Sequence, residues 1–128
     1  MVTVKFNPNG GLLIANAVFL GDLIADYEID LKEKNSNHQT KLLEGDNLNP
    51  QDDNVALPTP VSINDGRRVK LDTLFTGNHP EVNKEYEIRL EIFQDGVLLG
   101  ADVDKSDADN KLTGKAQPSL LLVNLLTK

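Results

Sequence analysis

Apolar and polar residues alternate strictly in two segments of this chain. Tyr27, Ile29 and Leu31 alternate with charged residues, and the apolar residues from Tyr86 to Ile92 do the same. A period of two puts one set of side chains on a buried face of a strand and the other set on a solvated face. The pattern therefore predicts a half-buried β-strand at each of these two segments.

Two Asp-Gly pairs mark turns between apolar segments. Asp95-Gly96 follows the second alternating segment after Phe93 and Gln94, and Asn64-Asp65-Gly66 lies between two shorter apolar stretches. Asp-Gly suits a type I′ turn, because both central residues of that turn need a positive φ. Both sites are therefore predicted to be the tips of β-hairpins.

The remaining segments predict shorter or more ambiguous elements. Residues 2–6 alternate and predict a short strand. Residues 12–20 form a largely apolar run between glycines, and their length fits a buried strand or a short helix, so that both stay open. The polar residues 34–39 predict a hairpin loop. Pro58 and Pro60 confine the chain around them to an edge strand or to irregular structure.

Together these elements predict an all-β protein of about seven or eight short strands. Frequent turns and scarce helical periodicity favour an antiparallel β-sandwich, with a small β-barrel as the alternative. The chain has 128 residues, which is the usual size of one domain, and no segment has the composition of a linker. We therefore expect residues 1–128 to form a single sandwich domain.

The two alternating segments resemble each other in sequence. Each begins with Tyr-Glu-Ile, at residues 27–29 and 86–88, and each is followed by a predicted hairpin, a Leu-Leu pair and an acidic residue. Two strand-turn-strand units at equivalent places in two facing sheets would explain this likeness. The convergence of any two half-buried strands on the same pattern would explain it as well.

The charge of the chain limits its partners. It has 13 basic and 20 acidic residues, which gives a net charge of -7. A field of this sign repels the phosphates of nucleic acids and of anionic membranes. We therefore expect no binding to nucleic acid, and no apolar run is long enough for insertion into a membrane.

The chain contains no cysteine, which excludes disulfides, thiolate metal ligands and cysteine nucleophiles. Residues 1–6 lack the charged leader and apolar core of a secretory signal peptide. The compartment stays open between the cytoplasm, an assembled particle and the outside of the cell, where the chain would be a mature secreted form.

Residues 102–110 form the sharpest candidate for a ligand site. Calcium prefers several oxygen ligands at once, and alternate acidic residues on a curved loop can converge on one ion. The spacing of the first three candidates resembles the start of an EF-hand loop, but residue 107 is not glycine and residue 113 is not glutamate. A calcium site and a solvated acidic loop therefore both stay open. The predicted calcium ligands are Asp102, Asp104, Ser106, Asp107 and Asp109.

A second acidic loop contains Asp46, Asp52 and Asp53. If the two strand-turn-strand units lie in facing sheets, this loop and residues 102–110 open at one end of the sandwich. The two loops would then be able to share a metal ion, as loops do in calcium-dependent sandwich modules such as C2 domains. The analogy concerns the fold alone.

The motifs of common enzyme classes do not occur in the sequence. His38 and His79 are the two histidines, and both lie in predicted turns, where we expect exposed side chains. There is no Gly-x-Ser-x-Gly elbow, no phosphate-binding glycine-rich loop and no His-Glu-x-x-His helix. The chain also lacks tryptophan, and Tyr27 and Tyr86 are predicted to lie in the core. We therefore expect no enzymatic activity.

The C-terminal segment is apolar at nearly every position from Leu120 to Leu126. Such a strand is buried on both faces or pairs with another subunit, because an unpaired apolar edge invites strand addition. Residues 119–126 are therefore the predicted contact with a homo-oligomer partner or another protein. The sequence favours a non-enzymatic module that acts by protein binding or self-assembly, such as a capsid, fibre or tail component. A calcium-dependent module that binds a ligand or carbohydrate is the alternative.

Overall fold

Two β-sheets pack against each other in the computed structural model, and they do not close into a barrel. The structure describes residues 1–48 and 53–128. The sandwich that the sequence predicts is confirmed, with more and longer strands than expected. The strands in the described residues are β1 (Val2–Phe6), β2 (Leu13–Gly21), β3 (Leu23–Lys32), β4 (Gln39–Asp46), β5 (Asn54–Ala56), β6 (Arg68–Gly77), β7 (Tyr86–Gln94), β8 (Val97–Lys105) and β9 (Gln117–Thr127).

The strands are divided between a five-stranded and a four-stranded sheet. Sheet A has the order β1-β9-β6-β3-β4, and sheet B has the order β5-β2-β7-β8. Neighbouring strands are antiparallel, apart from β1, which runs parallel to β9 at the edge of sheet A. β8 lies against β1 and β9, and β5 lies against β4 on the opposite side of the sandwich.

The core lies between the sheets and is built from alternate residues of the strands. In β3, Tyr27, Ile29 and Leu31 are buried, while Glu28 and Lys32 on the other face stay partly exposed. Full burial of one such apolar side chain stabilises the fold by about 1.5–3 kcal/mol. The largest fully buried side chains are Phe6, Phe75, Leu13, Ile29, Leu31, Leu71, Ile88, Leu90, Ile92, Leu112, Leu125 and Val69.

Most of the ambiguous segment 12–20 is strand β2. It pairs with β7 along its whole length, from Leu13 to Gly21. Its inward residues include Ala15 and Ala17, and Phe19 packs on the ring of Tyr27 with a centroid distance of 5.2 Å. Periodicity left the segment open because its outward positions are also largely apolar. Pairing with β7 decides for a strand, because pairing satisfies the backbone hydrogen bonds.

The two Asp-Gly turns have different outcomes. Asp95 and Gly96 have φ angles of 52° and 75° and join β7 to β8, so this hairpin is confirmed. The hairpin predicted at Asp65-Gly66 is wrong, because the preceding Val61–Asn64 segment is a short 3₁₀ helix. Asp65 has φ -59° and ψ 124° and Gly66 has φ 82°, which are the angles of a type II turn that leads into β6.

Side-chain hydrogen bonds hold this 3₁₀ segment. The buried Asn64 amide donates to the carbonyls of Pro58 and Val61 at 3.0 and 3.1 Å. Because Pro58 and Pro60 have no N–H, a strand at this place would lose ladder hydrogen bonds. The irregular structure expected around the two prolines is therefore confirmed.

The two strand-turn-strand units lie in different sheets, as one of the two interpretations expects. β3–β4 ends sheet A and β7–β8 ends sheet B, at opposite edges of the sandwich. The two tyrosines occupy similar environments, since Phe19 packs on Tyr27 and Phe75 packs on Tyr86. The opposite edges separate the acidic segments that follow the two units, and this separation does not favour a shared ion.

Candidate interaction site

The first three predicted calcium ligands follow the line of a strand. Asp102 and Asp104 belong to β8, and Ser106 comes directly after it, so the loop expected at 102–110 begins four residues later than predicted. Side chains two residues apart share one face of a strand and stand in a row along it. The spacing that resembles an EF-hand is therefore the spacing of one strand face.

Each of these three side chains has a protein partner of its own. Asp102 Oδ2 accepts the N–H of Leu122 at 2.9 Å, and its Oδ1 lies 3.3 Å from the N-terminal amine. Asp104 Oδ1 accepts the hydroxyl of Tyr86 at 3.2 Å, and Ser106 Oγ accepts the Tyr86 N–H at 3.0 Å. Burial, followed by the negative charge of Asp104, raises the pKa of Tyr86 to about 12. These hydrogen bonds therefore connect β8 and the residue after it with β7 and β9.

The last two predicted ligands lie in the exposed loop after β8. Asp107 Oδ1 accepts the backbone N–H groups of Asp109 and Asn110 at 2.8 Å, and these bonds hold the pKa of Asp107 below its usual value. Across residues 1–48 and 53–128, no group of three or more His, Asp or Glu side chains is placed to hold a metal ion. Calcium binding at 102–110 stays a prediction that this geometry does not support.

The second acidic segment also has local partners. Asp46 ends β4, and its Oδ1 accepts the N–H of Leu48 at 2.9 Å. Asp53 is 6% exposed and accepts the hydroxyl of Tyr27 at 2.6 Å. Asp52 lies outside the described residues. The two described carboxylates have structural roles, one in a turn and one against the core.

Both histidines are exposed, as expected. His38 lies in the loop between β3 and β4, and His79 lies in the loop after β6. His79 Nδ1 is 2.8 Å from Asp22 Oδ2, a contact that the sequence did not indicate, and this bond is the main cause that lowers the pKa of Asp22. Asn78 also donates to Asp22, at 3.2 Å. In the part of the chain that the structure describes, no hydroxyl bonds to the His79 ring, so this pair fastens a loop.

The C-terminal apolar run is strand β9, and its two faces have different environments. Leu121, Val123 and Leu125 are buried in the core. Leu120 and Leu126 on the outer face are 57% and 40% exposed. The sequence allows either burial of both faces of this strand or pairing with another subunit. The exposure of Leu120 and Leu126 shows that the described residues do not bury both faces. The outer face of β9 is therefore a candidate contact surface.

One edge of β9 lacks a strand neighbour along half its length. β1 pairs with residues 123–127 only, so that in the described chain residues 117–122 have no strand opposite β6. Pro118 has no N–H, and Asp102 binds the N–H of Leu122. Among Pro118, Leu120 and Leu122, only Leu120 therefore has an N–H that points to this edge and is not bound by a carboxylate. Such an edge gives little room for strand addition.

The outward side chains of β4, β3, β6 and β9 form four rows across sheet A, which we call the outer face of sheet A. Antiparallel pairing puts residues of different strands side by side, and the register of each pair fixes the row. The rows, each written from β4 to β9, are Asp46, Asp26, Leu74 and Pro118; Glu44, Glu28, Asp72 and Leu120; Lys41, Asp30, Lys70 and Leu122; Gln39, Lys32, Arg68 and Asn124.

Charge is separated along this face. The first two rows carry five carboxylates and no cation, and we call them the acidic rows; the last two carry four cations and Asp30, and we call them the basic rows. Lys41 reaches back to Glu28 and Glu44, at 3.3 and 2.9 Å. In the described residues Asp26, Asp72 and Lys32 make no ion pair. The sequence carried a signal for this pattern, because β4, β3 and β6 each change sign along their outward positions.

Crowding of like charges is visible at the boundary between the rows. Burial raises the pKa of Asp30 to about 6, and its hydrogen bond and charge interaction with Glu28 act in the same direction. The same hydrogen bond, with help from Lys41, holds the pKa of Glu28 below its usual value. Lys70 Nζ lies 4.0 Å from Asp30 Oδ2 and offsets part of this effect. Below about pH 6, a protonated Asp30 therefore donates to an ionised Glu28.

The outer face of sheet B has a different charge pattern. Its charges are Arg89, Lys105, Glu87 and Glu91, which sum to zero. Arg89 bonds to Glu91 at 2.9 Å and to Glu87 at 3.4 Å, so its charges are largely paired within the face. One end carries an apolar row of Ala56, Ile14, Phe93 and Leu98.

Three comparisons with known proteins give no further guide to this site. No protein-family model, no curated protein and no solved structure matches the chain. Among residues 1–48 and 53–128 there is no helix long and apolar enough to cross a membrane. The surface chemistry of the chain itself therefore carries the functional proposal.

Proposed function

We propose that this chain is a non-enzymatic β-sandwich module that acts by binding protein, in a structural or assembly role such as that of a capsid, fibre or tail component. The observation that carries the proposal is the outward half of β9. Pro118, Leu120 and Leu122 lie on one outer face, and Leu74 of β6, which is 53% exposed, lies beside them. We call these four residues the outer strip.

The outer strip is apolar where a solvated sheet face is expected to be polar. An antiparallel sheet with one face in water alternates apolar and polar residues, and most of sheet A follows that rule. β9 departs from it, because its leucines occupy both faces at the centre of the strand. Clusters of exposed apolar side chains are typical of protein-binding surfaces. A contact that covers the strip would gain the free energy of removing Leu120 and Leu74 from water.

Size-exclusion chromatography with light scattering tests the proposal. Leu120→Ser/Leu122→Ser removes most of the strip, and Val97→Ser/Leu98→Ser is a matched control, because those residues are exposed at the end of sheet B. We expect the parent to have a mass above 14.1 kDa, the strip variant to be a monomer and the control to keep the parent mass. If the control variant dissociates and the strip variant does not, the contact lies on sheet B and the proposed site is wrong.

A third variant separates the face of β9 from its edge. Leu120→Pro removes the N–H that points away from β6 and leaves the ladder with β6 in place, as Pro118 already does two residues earlier. Leu120→Ala shortens the side chain and keeps the N–H. If the face makes the contact, both variants weaken association to a similar extent. A loss confined to Leu120→Pro would instead indicate strand addition at the edge.

A further inference from the structure

We infer that the partner of this face is a second copy of the same chain, docked face to face on the outer face of sheet A with its strands antiparallel to those of the first copy. This inference rests on the proposed protein-binding function and names the partner for it. The observation that carries it is the separation of charge between the acidic rows and the basic rows of one sheet face.

A two-fold axis that lies between the two copies and runs across the strands makes the face complementary to itself. Rotation about such an axis keeps each strand opposite its own copy and reverses the order of the rows. If the axis passes between the second and third rows, the first row meets the fourth and the second meets the third. The acidic rows of each copy then lie over the basic rows of the other.

The register gives specific pairs across this axis. Asp26 lies opposite Lys32 of the second copy, and Asp72 lies opposite Lys70 of the second copy. On β9, Leu120 lies opposite Leu122 of the second copy, so that these two leucines of the outer strip meet, while Leu74 lies opposite Arg68. Glu28 lies opposite Asp30 of the second copy, which is the one pair of like charges. A two-fold axis parallel to the strands would put acidic rows on acidic rows, and like charges brought together at an interface oppose binding.

The outer face of sheet B offers no comparable match. Its four charges are already paired or balanced within one copy, so a second copy adds little electrostatic attraction there. On the outer face of sheet A, Asp26, Asp72 and Lys32 have no ion-pair partner in the described residues, and a second copy brings the opposite charge to each of these rows. Electrostatic complementarity of this kind selects the partner and its orientation.

The size of the face sets the expected strength. Four strands at a spacing of about 4.8 Å and four rows of about 6.8 Å along each strand cover roughly 19 by 27 Å, or about 500 Å² per copy. A total of about 1,000 Å² is at the lower limit of specific interfaces. We therefore expect a dimer that dissociates in the micromolar range and that weakens with salt, because the Debye length falls from about 10 Å at 0.1 M to about 3 Å at 1 M.

Two charge-reversed variants and their mixture test the inference. Asp26→Lys/Asp72→Lys makes the face basic, and Lys32→Glu/Lys70→Glu reverses the two cations that lie opposite these positions across the axis. We expect the parent to be a dimer and each variant alone to be a monomer of 14.1 kDa, because its two faces repel each other. An equimolar mixture of the two variants should form a heterodimer of twice that mass in low salt, and the heterodimer should dissociate near 1 M salt.

The outcomes separate this inference from the proposed function. Thermal unfolding of each variant checks that it is folded, and formation of the heterodimer would show it again. If folded variants keep the parent mass, or if the mixture stays monomeric, self-docking of this face is overturned. The proposed function survives that result if the strip variant Leu120→Ser/Leu122→Ser still dissociates the parent oligomer. A parent that is monomeric at every concentration overturns both.

Discussion

The outer faces of the two sheets are built from the same kinds of residue and differ in how charge is arranged. On sheet B, Arg89 lies between Glu87 and Glu91 and bonds to both, and Lys105 of β8 beside Glu87 brings the sum of charges on the face to zero. On sheet A, β4, β3 and β6 each change sign along their outward positions, and antiparallel pairing aligns most acids with acids and most bases with bases. Charges that are paired within one face gain little from a partner protein. Charges that are separated along a face find their opposite charges on the surface of a partner.

Cross-linking should show the largest difference between the two faces. The chain has no cysteine, so that one introduced thiol is unique. Leu120→Cys places thiols of two docked copies on both sides of the proposed axis, and a short bifunctional maleimide should convert most of the protein to a covalent dimer. Leu98→Cys, an exposed leucine on sheet B, should give little dimer. Equal cross-linking at both positions would mean that the copies meet at random.

Replacement of Asp30 should reveal the cost of burying its carboxylate beside Glu28, at the boundary between the acidic rows and the basic rows. Asp30 faces Glu28 on its own strand, Lys70 and Asp72 on β6, and Lys41 on β4. Its pKa is about 6 in the folded protein and near 3.8 in the unfolded chain, so the folded state binds more protons between these values. Ionisation of Asp30 therefore costs stability above pH 6, and this cost disappears as the pH falls through 6 towards 3.8.

Asp30→Asn keeps a hydrogen-bond donor for Glu28 and removes the charge. We expect the variant to be more stable than the parent at pH 8 by about 1–3 kcal/mol, because a shift of one pKa unit corresponds to about 1.4 kcal/mol and the lowered pKa of Glu28 offsets part of the gain. The difference should shrink at pH 4, as measured by urea unfolding at both pH values. Glu87→Gln on sheet B is the matched control, and a gain of the same size there would contradict this explanation.

Replacement of Asp102 should have a smaller effect on stability. Its carboxylate holds the N–H of Leu122 and the N-terminal amine, and Asp102→Ala leaves both without that partner. We expect a loss of about 1–2 kcal/mol in the free energy of unfolding, since a hydrogen bond to a charged group contributes about that much. Asp109→Ala, in the exposed loop, should change stability little. If the two variants are equally stable, Asp102 does not fasten the open end of β9.

Calcium should have the smallest effect. A ligand that binds only the folded state raises the melting temperature. Because Asp102, Asp104, Ser106 and Asp107 have separate protein partners, millimolar calcium should leave the melting temperature of the parent unchanged. A rise that disappears in Asp102→Asn/Asp104→Asn would put the calcium-dependent module, the alternative from the sequence, in place of the proposed function.

The sequence predicted those parts of the fold that depend on local pattern. The alternation around Tyr27 and Tyr86 identified β3 and β7, and the Asp95-Gly96 pair identified the hairpin that joins β7 to β8. The apolar run from Leu120 to Leu126 also identified the C-terminal strand β9. The prediction of a hairpin at Asp65-Gly66 was wrong, because the same dipeptide also fits a type II turn and the prolines before it prevent a strand.

The candidate site could not be predicted from local pattern, because it depends on strand pairing. Asp26 and Leu74 lie in one row although they are far apart along the chain, and only the register of β3 with β6 brings them together. The acidic segment 102–110 shows the opposite case. Its spacing suggested a curved loop, but β8 pairs with β7 through Lys105, and the tertiary pairing decides the conformation.

The mass of the parent protein in solution tests the central claim most directly. Light scattering or sedimentation equilibrium across a dilution from millimolar to nanomolar chain, in low salt, measures it without any substitution. Self-docking of the outer face of sheet A predicts a mass of twice 14.1 kDa at the highest concentrations that falls to 14.1 kDa on dilution, with the midpoint moved to higher concentration by salt. A mass of 14.1 kDa throughout would contradict it.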